Sequence, residues 1–378
     1  VVVAVSVSAL VAVVCFAVFG DALWRMNQAG SPAVAVYSTT ASPESTQPKT
    51  VTLPGWSDNT QWSNNVQSAS VAVTSDGHWA GYVENRSHAV VTDTETGQPL
   101  SSTTLSSPSI VGMRAVTVDG QPALLTYSAT TIFVWQKNAR TPVEVSLPPG
   151  SQVALRYSGV PLVLPADNHS VSLVTGHGLV PYLTPLEGAA PITATSTGTV
   201  LWASTRGVIL EGTATGAPVR TIPLVPPAAG ATISQWVGVL GAAYIVWSVP
   251  GTGTVLASHS LTDGSIVSSS PVSADTGSTQ LLTSQTASWA MFGPVLLNTA
   301  TGAGATPDPQ YHPTLGLGES FFGTSGTQTA VLSPVGKITH VSDVSVVPQG
   351  VTATGGLLTL TNGMLAVYPV IPSTSRLR

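Results

Sequence analysis

The chain of 378 residues is poor in cysteine and in charge, and each deficit excludes a class of protein. Its one cysteine, Cys15, lies in an apolar N-terminal run, so the rest of the chain cannot form an internal disulfide. Only 8% of the residues are charged, and 12 basic against 17 acidic residues give a net charge of −5. The basic residues are scattered, which argues against a nucleic-acid-binding protein.

The chain also lacks the short motifs that are common to catalysis and to metal or phosphate binding. It contains no His-Glu-x-x-His, no Gly-x-Ser-x-Gly and no phosphate-binding Gly-Lys-Ser/Thr loop. The seven histidines are dispersed, and no two of them have metal-ligand spacing on one strand. Carboxylates occur mostly singly in turns, not in the clusters that Ca²⁺ requires. The sequence therefore predicts no catalytic residues, no metal site and no cofactor.

What the chain does contain is a series of short apolar runs separated by glycine turns. Turn glycines at positions 77, 120, 159, 198 and 241 are 43, 39, 39 and 43 residues apart. In a chain rich in β-branched residues, a period near 40 is typical of a β-propeller with one four-stranded blade per repeat. The sequence predicts an all-β, eight-bladed propeller. Seven blades are the alternative, because residues 276–347 form the least regular part of the pattern.

The last repeat is incomplete, with predicted strands only at residues 351–354, 357–361 and 365–370. Residues 51–53 form a short apolar strand that has no partner in the first full repeat. If this strand pairs with residues 365–370, both ends of the chain close the ring and cover an edge that would otherwise promote aggregation. The propeller is therefore predicted over residues 50–371, with residues 372–378 as a tail.

Residues 1–20 carry no charge and contain only two serines. Twenty residues at helical rise span roughly 30 Å, the thickness of the hydrocarbon core of a bilayer. Asp21 and Arg25 end the apolar run. The sequence predicts a single N-terminal transmembrane helix in an anchor of residues 1–22, followed by a Ser/Thr/Pro-rich linker of residues 23–49.

A cleaved signal peptide is the alternative interpretation of the N-terminal run. Gly20, Asp21 and Ala22 offer small residues at a plausible cleavage position, although signal cores usually have about 7 to 15 apolar residues. Both interpretations place the propeller on the extracytoplasmic side. The anchor further predicts a single-pass protein of the cell membrane.

A second turn recurs between predicted strands, with a shared Thr-x-Thr-Gly core at residues 93–97, 212–216 and 298–302. Asp93-Thr94-Glu95-Thr96-Gly97 resembles the outer hairpin turn of pyrroloquinoline-quinone-type propeller repeats, in which Asp-x-x-Thr-Gly is common. That superfamily includes quinone-dependent dehydrogenases and cofactor-free scaffold proteins of bacterial envelopes. The dehydrogenases place the quinone against a disulfide between adjacent cysteines, which this chain lacks, so the resemblance favours a scaffold.

Tryptophans are the remaining residues with a distinctive placement. Four of them fall in the second predicted strand of a blade and are interpreted as packing between blades: Trp79, Trp202, Trp247 and Trp289. Two others flank a polar stretch next to the predicted closing strand, where exposed aromatics suit a protein or sugar ligand. The candidate binding residues are Trp56, Asp58, Asn59, Trp62 and Asn64.

These features together predict a non-enzymatic protein-binding or scaffolding subunit of a bacterial envelope complex. The expected partners are the membrane, through the N-terminal helix, and another envelope or membrane protein. The alternatives are a module that binds cell-wall glycan and, less favoured because the chain lacks adjacent cysteines, a quinone-dependent oxidoreductase.

Overall fold

The protein is an eight-bladed, all-β propeller in the computed structural model, so the alternative of seven blades is wrong. The described residues form eight antiparallel sheets of four strands each. None of them forms a helix that could cross a membrane. The predicted anchor (1–22), linker (23–49) and tail (372–378) lie outside the described residues, which are 53–137, 139–155, 159–166, 170–186, 188–195, 198–204, 207–212, 218–272, 281–341 and 347–371.

The strands are numbered β1 to β32 in chain order, beginning with the closing strand β1, Trp62–Asn65. Blades 1 to 4 contain Ala72–Val73, Trp79–Glu84, His88–Asp93 and Pro99–Thr104 (β2–β5); Arg114–Val118, Gln121–Tyr127, Thr131–Trp135 and Val143–Ser146 (β6–β9); Gln152–Leu155, Pro161–Leu164, Ser170–Thr175 and Gly178–Leu183 (β10–β13); and Ala190–Ala194, Val200–Ser204, Val208–Gly212 and Pro218–Pro223 (β14–β17).

Blades 5 to 7 each take four consecutive strands, and blade 8 takes three from the end of the chain. They contain Thr232–Val239, Ala242–Val249, Gly253–Ser260 and Ile266–Pro271 (β18–β21); Leu281–Thr283, Trp289–Phe292, Val295–Asn298 and Gly304–Ala305 (β22–β25); Tyr311–Leu317, Ser320–Ser325, Gln328–Leu332 and Ile338–His340 (β26–β29); and Pro348–Val351, Leu357–Thr361 and Met364–Tyr368 (β30–β32). The fourth strand of blade 8 is β1, so the order of this sheet is β30-β31-β32-β1.

The hydrophobic core is divided among the blade interfaces. Each of the eight buried clusters combines side chains from two adjacent blades, and together they cover every interface of the ring. The four second-strand tryptophans belong to these clusters: Trp79 between blades 1 and 2, Trp202 between 3 and 4, Trp247 between 4 and 5, and Trp289 between 6 and 7. Their predicted role in packing between blades is confirmed.

The first strand of each blade lies next to the axis. First strands of neighbouring blades contact each other from blade 6 round to blade 2, where β22 meets β26, β26 meets β30, β30 meets β2 and β2 meets β6, and again between blades 4 and 5, where β14 meets β18. The fourth strands lie at the outer edges of the sheets. This arrangement leaves fourth strands and turns as the exposed parts of the molecule.

In blades 1 and 6, the Thr-x-Thr-Gly turn joins the third and fourth strands. In blade 1, Asp93 Oδ1 accepts hydrogen bonds from the amides of Glu95 (3.0 Å) and Thr96 (2.8 Å). Asn298 Oδ1 does the same in blade 6, where it accepts from the amides of Ala300 (3.1 Å) and Thr301 (3.0 Å). These polar groups satisfy their own turn, as short Asp and Asn side chains commonly do.

The ring closes through an N-terminal strand, as predicted, but not through the predicted residues. Residues 51–52 lie outside the described residues and Leu53 is not in a strand. The closing strand is Trp62–Asn65, which pairs antiparallel with β32 from Trp62↔Val367 to Asn65↔Met364. Leu53 is instead buried against blades 7 and 8. An outer strand can be polar because neither of its faces is fully covered, so the apolar run at residues 51–53 was not the mark of the closing strand.

The fourth strand of blade 6, Gly304–Ala305, was also missed in the sequence. It has only two residues and pairs through Leu296↔Ala305 and Leu297↔Gly304. Gly and Ala have little strand propensity, so this pairing depends on the neighbouring strand and not on local sequence.

His259 is fully buried in blade 5 as a neutral imidazole. Its Nε2 accepts a hydrogen bond from Trp247 Nε1 (3.1 Å), and its Nδ1 lies 3.0 Å from the carbonyl oxygen of Gly264. An indole nitrogen can only donate, so the imidazole proton is on Nδ1 and is donated to Gly264. Burial lowers the pKa of His259, and the bond to Gly264 opposes this shift.

We expect His259 to make the domain less stable as the pH falls from 7 to 5. The folded state keeps the ring neutral because its pKa is lowered, while the unfolded chain takes up a proton near the ordinary value of about 6.5. The free energy of unfolding should fall by up to about 1.4 kcal/mol per pH unit in this window. Urea unfolding at several pH values should show this slope reduced in His259→Leu, whereas substitution of the exposed His177 by Gln should leave it unchanged. Equal slopes in all three proteins would contradict the assignment.

Candidate functional site

The five predicted binding residues lie at the closing seam, the interface between blades 8 and 1. Trp62 and Asn64 belong to β1, while Trp56, Asp58 and Asn59 precede it. Trp56 forms an isolated bridge with Val370, beyond the end of β32. The structure therefore brings all five into one segment along the outer edge of blade 8.

Trp62 and Asn64 contact the Thr-x-Thr-Gly turn of blade 1. Trp62 Nε1 donates to the carbonyl oxygen of Thr94 (2.8 Å), and Asn64 Nδ2 donates to that of Gly97 (2.8 Å). Gly97 has φ +71° and lies against the indole, so that a Cβ there would be 2.6 Å from Trp62 Cδ2. The turn glycine is thus needed both for its backbone conformation and for the close approach of the ring.

The same arrangement occurs at interfaces within the ring. A side chain on the fourth strand of one blade donates to a carbonyl oxygen in the third-to-fourth turn of the next blade. The pairs are Ser101 Oγ with Arg140 (2.5 Å), Arg220 Nη2 with Leu261 (2.6 Å) and Ser268 Oγ with Gly302 (2.7 Å). Trp62 and Asn64 therefore have the contacts of an ordinary blade interface, supplied at the seam by the N-terminal strand.

Trp56 and Glu95 add polar contacts across the two ends of the chain. Trp56 Nε1 donates to the carbonyl oxygen of Gly355 (2.8 Å). The Glu95 carboxylate of blade 1 accepts from Thr354 of blade 8, through the amide (3.0 Å) and through Oγ1 (2.7 Å). Glu95 was not predicted as a functional residue. Its place in the Asp-x-x-Thr-Gly turn gave the one available indication, since the middle of this turn faces the preceding blade.

Asp58 and Asn59 are the two predicted residues that remain free for a ligand. Both are exposed, and neither side chain hydrogen-bonds another described residue. The indoles of Trp56 and Trp62 are only partly exposed, and both of their N–H groups already bind the backbone. A binding role for the five residues stays a prediction, and within it Asp58 and Asn59 are the groups best placed to contact a partner.

A cleft of about 510 Å³ lies at the turns of blades 2, 3 and 4. Among the described residues that line the cleft, Asp119 is the one with a charged side chain. Its Oδ2 already accepts hydrogen bonds from the backbone amide of Gly176 (2.8 Å) and from Gln136 Nε2 (3.2 Å). The other described lining residues carry hydroxyl, aliphatic or no side chains: Thr117, Gly120, Val160, Leu173, Val174, Thr195 and Gly198. This described lining contains no pair of a nucleophile and a base.

The titratable groups with shifted pKa values do not converge on this cleft. Burial is the main cause for the raised pKa values of Tyr82, Tyr127, Tyr244, Tyr311 and Tyr368, and for the lowered value of Arg114. These groups are spread over blades 1, 2, 5, 7 and 8, with Arg114 and Tyr127 together in blade 2, and their shifts report burial in the packed blades. Nor do any three His, Cys, Asp or Glu residues in the described part of the chain form a group that could hold a metal ion.

No protein-family model and no curated protein sequence matches the chain. Solved structures with a similar fold include BamB from Moraxella catarrhalis (16% identity, TM-score 0.46, 82% of this chain and 99% of that chain). Others are the computationally designed Ika8 protein (9%, 0.46, 82% and 98%) and the β-propeller domain of Cps50 (Swd1) from Myceliophteria thermophila (11%, 0.40, 83% and 99%). The eight four-stranded blades fit the propeller architecture that the turns predicted. Similarity at this level concerns the fold alone.

We expect Trp62→Ala to destabilise the domain by about 2 kcal/mol, because it removes a packed indole and a hydrogen bond at the seam. Asp58→Ala is the matched control, since its side chain is exposed and bonds no described residue. Chemical denaturation of both variants would measure the difference. Equal stability of Trp62→Ala and the wild type would show that the seam does not depend on this indole.

Proposed function

We propose that the chain is a non-enzymatic, membrane-tethered propeller of the bacterial envelope that binds another envelope or membrane protein. The observation that carries this proposal is the exposed, uncharged outer strand of blade 3. Val180 and Leu183 on β13 are 38% and 51% exposed, and Leu186 just after it is 43% exposed.

This strand differs in composition from the other described outer strands of more than two residues. The sequence of β13 is Gly-Leu-Val-Pro-Tyr-Leu, which contains no charged residue and no Ser, Thr, Asn or Gln. The outer strands β9 and β17 carry Glu144 and Arg220, and β5 and β21 are rich in Ser or Thr. Soluble proteins usually protect outer strands with charge, so an apolar one supports a role in binding.

The chemistry of β13 favours contact through side chains over addition of a partner strand. Pro181 has no N–H to donate and is typical of an edge strand. Val180 and Leu183 lie on opposite faces, because successive side chains of a strand alternate. A partner with an apolar groove could therefore enclose the edge of blade 3, as buried anchors do in protein interfaces.

The position of the chain ends is compatible with a tether that leaves this strand accessible. Ile371 N donates to the carbonyl oxygen of Gly55 (2.9 Å), so the first and last described residues of the chain lie close together at the seam. Blade 3 is separated from the seam by blades 1 and 2. The proposed anchor of residues 1–22 and linker of residues 23–49 would join the molecule at the seam.

We expect the double variant Val180→Lys/Leu183→Lys to lose its partner without losing stability. Two charged side chains would have to be desolvated in the interface, so recovery of the partner from detergent extracts should fall at least about tenfold. Val335→Lys is the matched control, because Val335 is 88% exposed in a turn of blade 7. Quantitative mass spectrometry of tagged proteins would compare them. Unchanged recovery with the double variant would contradict the assignment of β13.

The proposed tether makes a separate prediction about location. The full chain should stay with carbonate-washed membranes, because a helix of about 20 apolar residues is not extracted by high pH. A chain without residues 1–22 should be released. N-terminal sequencing that finds a mature start at Leu23 would show a cleaved signal peptide and a secreted protein.

A further inference from the structure

The side chain of Gln285 reaches three other blades near the axis of the ring. Gln285 lies in the turn between β22 and β23, the first and second strands of blade 6. Its Oε1 accepts from the amides of Val351 (2.8 Å) and Gly318 (3.4 Å). Its Nε2 donates to the carbonyl oxygens of Val351 (2.7 Å) and Thr74 (3.0 Å). Gly318, Val351 and Thr74 belong to blades 7, 8 and 1 or to the turns that follow their first strands.

These four bonds use the full hydrogen-bonding capacity of the amide. A glutamine side chain offers two acceptor sites on oxygen and two donors on nitrogen. The orientation of the amide is fixed, because the N–H of Val351 requires an acceptor while the carbonyls of Val351 and Thr74 require a donor. With Val351 the side chain forms a reciprocal pair of bonds, as a neighbouring strand would.

The backbone around Gln285 is arranged to permit this contact. The backbone N–H of Gln285 donates to the carbonyl oxygen of Gly318 (2.9 Å), and this bond holds the turn of blade 6 against blade 7. Gly350 precedes Val351, and a Cβ there would lie 2.7 Å from the side chain of Val73 and 3.3 Å from Gln285 Oε1. A larger residue at position 350 would separate blades 8 and 1 from each other and from the amide.

We propose that Gln285 closes the ring a second time, at the axis, from a part of the chain remote from the closing strand at the outer edge. β1 holds the outside of the seam by pairing with β32, and it comes from the N-terminal end of the chain. Gln285 holds the inside of the same seam by joining blades 8 and 1 to blade 6. A backbone bond between Ala353 N and the carbonyl oxygen of Gly77 (3.0 Å) lies beside it at the seam.

Two closures of one seam lead to a specific energetic expectation. While β1 is paired with β32, loss of the Gln285 side-chain amide loosens the inner side of the seam. The blades stay in place, because the hydrophobic clusters between them persist. While the amide is present, disruption of β1 leaves the first strands of blades 8 and 1 held together. Loss of both should therefore cost more than the sum of the two separate losses.

The test uses Gln285→Met, which keeps the length of the side chain and removes all four bonds. Hydrogen exchange should quicken by about tenfold or more at the amide of Val351, while amides of blade 3 stay at the wild-type rate. The midpoint of thermal unfolding should fall by about 3 °C or more. Gln310→Met is the control, because Gln310 is exposed and its side chain hydrogen-bonds no described residue. A Gln285→Met protein with wild-type exchange at Val351 would overturn the proposal.

A second variant separates hydrogen bonding from packing. Gln285→Glu keeps the acceptor oxygen but directs another oxygen at the carbonyls of Thr74 and Val351. The introduced carboxyl group should be held in its protonated form, so the stability deficit relative to wild type should grow as the pH rises from 5 to 8. A deficit that is the same at both pH values would show a role in packing alone and contradict the proposal.

Combination with Trp62→Ala tests whether the two closures act on the same seam. The double variant Gln285→Met/Trp62→Ala should lose more stability than the two single variants together. Additive losses would show that the amide and the closing strand do not act on the same seam, and would overturn the double closure even if each variant is destabilised. This outcome does not depend on any binding partner of the propeller.

Discussion

The structure depends on the pairing of a strand near the start of the propeller with one at its end. Seven blades are built from consecutive strands, but blade 8 takes three strands from the end of the chain and one from Trp62–Asn65. Without β1, the backbone groups of β32 would be exposed as an unpaired edge. Every other feature of the seam adds to this pairing, including the indole of Trp62 against Gly97 and the carboxylate of Glu95 on Thr354.

A repeated interface explains why so few charges are needed. Each pair of neighbouring blades shares one buried apolar cluster, and several pairs add a side-chain bond to a turn carbonyl of the next blade. Ser, Asn and Trp donate such bonds without the desolvation cost of a buried charge. The shifted pKa values of the buried tyrosines and of His259 follow from the same packing. Among the described outer strands of more than two residues, β13 has the least polar composition.

Much of the fold could be predicted from the sequence, because each blade is a local repeat. The strand Leu357–Thr361 has the predicted bounds, and its neighbour Met364–Tyr368 differs from the predicted 365–370 by one or two residues at each end. The candidate site was predicted less well. Trp62 and Asn64 were interpreted as loop residues next to a closing strand, but they form that strand, because a polar outer strand resembles a loop until its partner is known. Glu95 was attributed to its turn, while its carboxylate bonds blade 8.

The sequence by itself determined the all-β class, the period near 40 residues and the need for a strand from the N-terminal side. These follow from local preferences: β-branched residues extend the backbone, and glycine or Asp and Asn side chains reverse it every few residues. Only the tertiary structure decided which residues close the ring. Trp56 bonds a carbonyl 299 residues away, and Gln285 bonds carbonyls 66 and 211 residues away. Such contacts leave no local pattern, because they depend on the curvature that eight packed blades impose on one another.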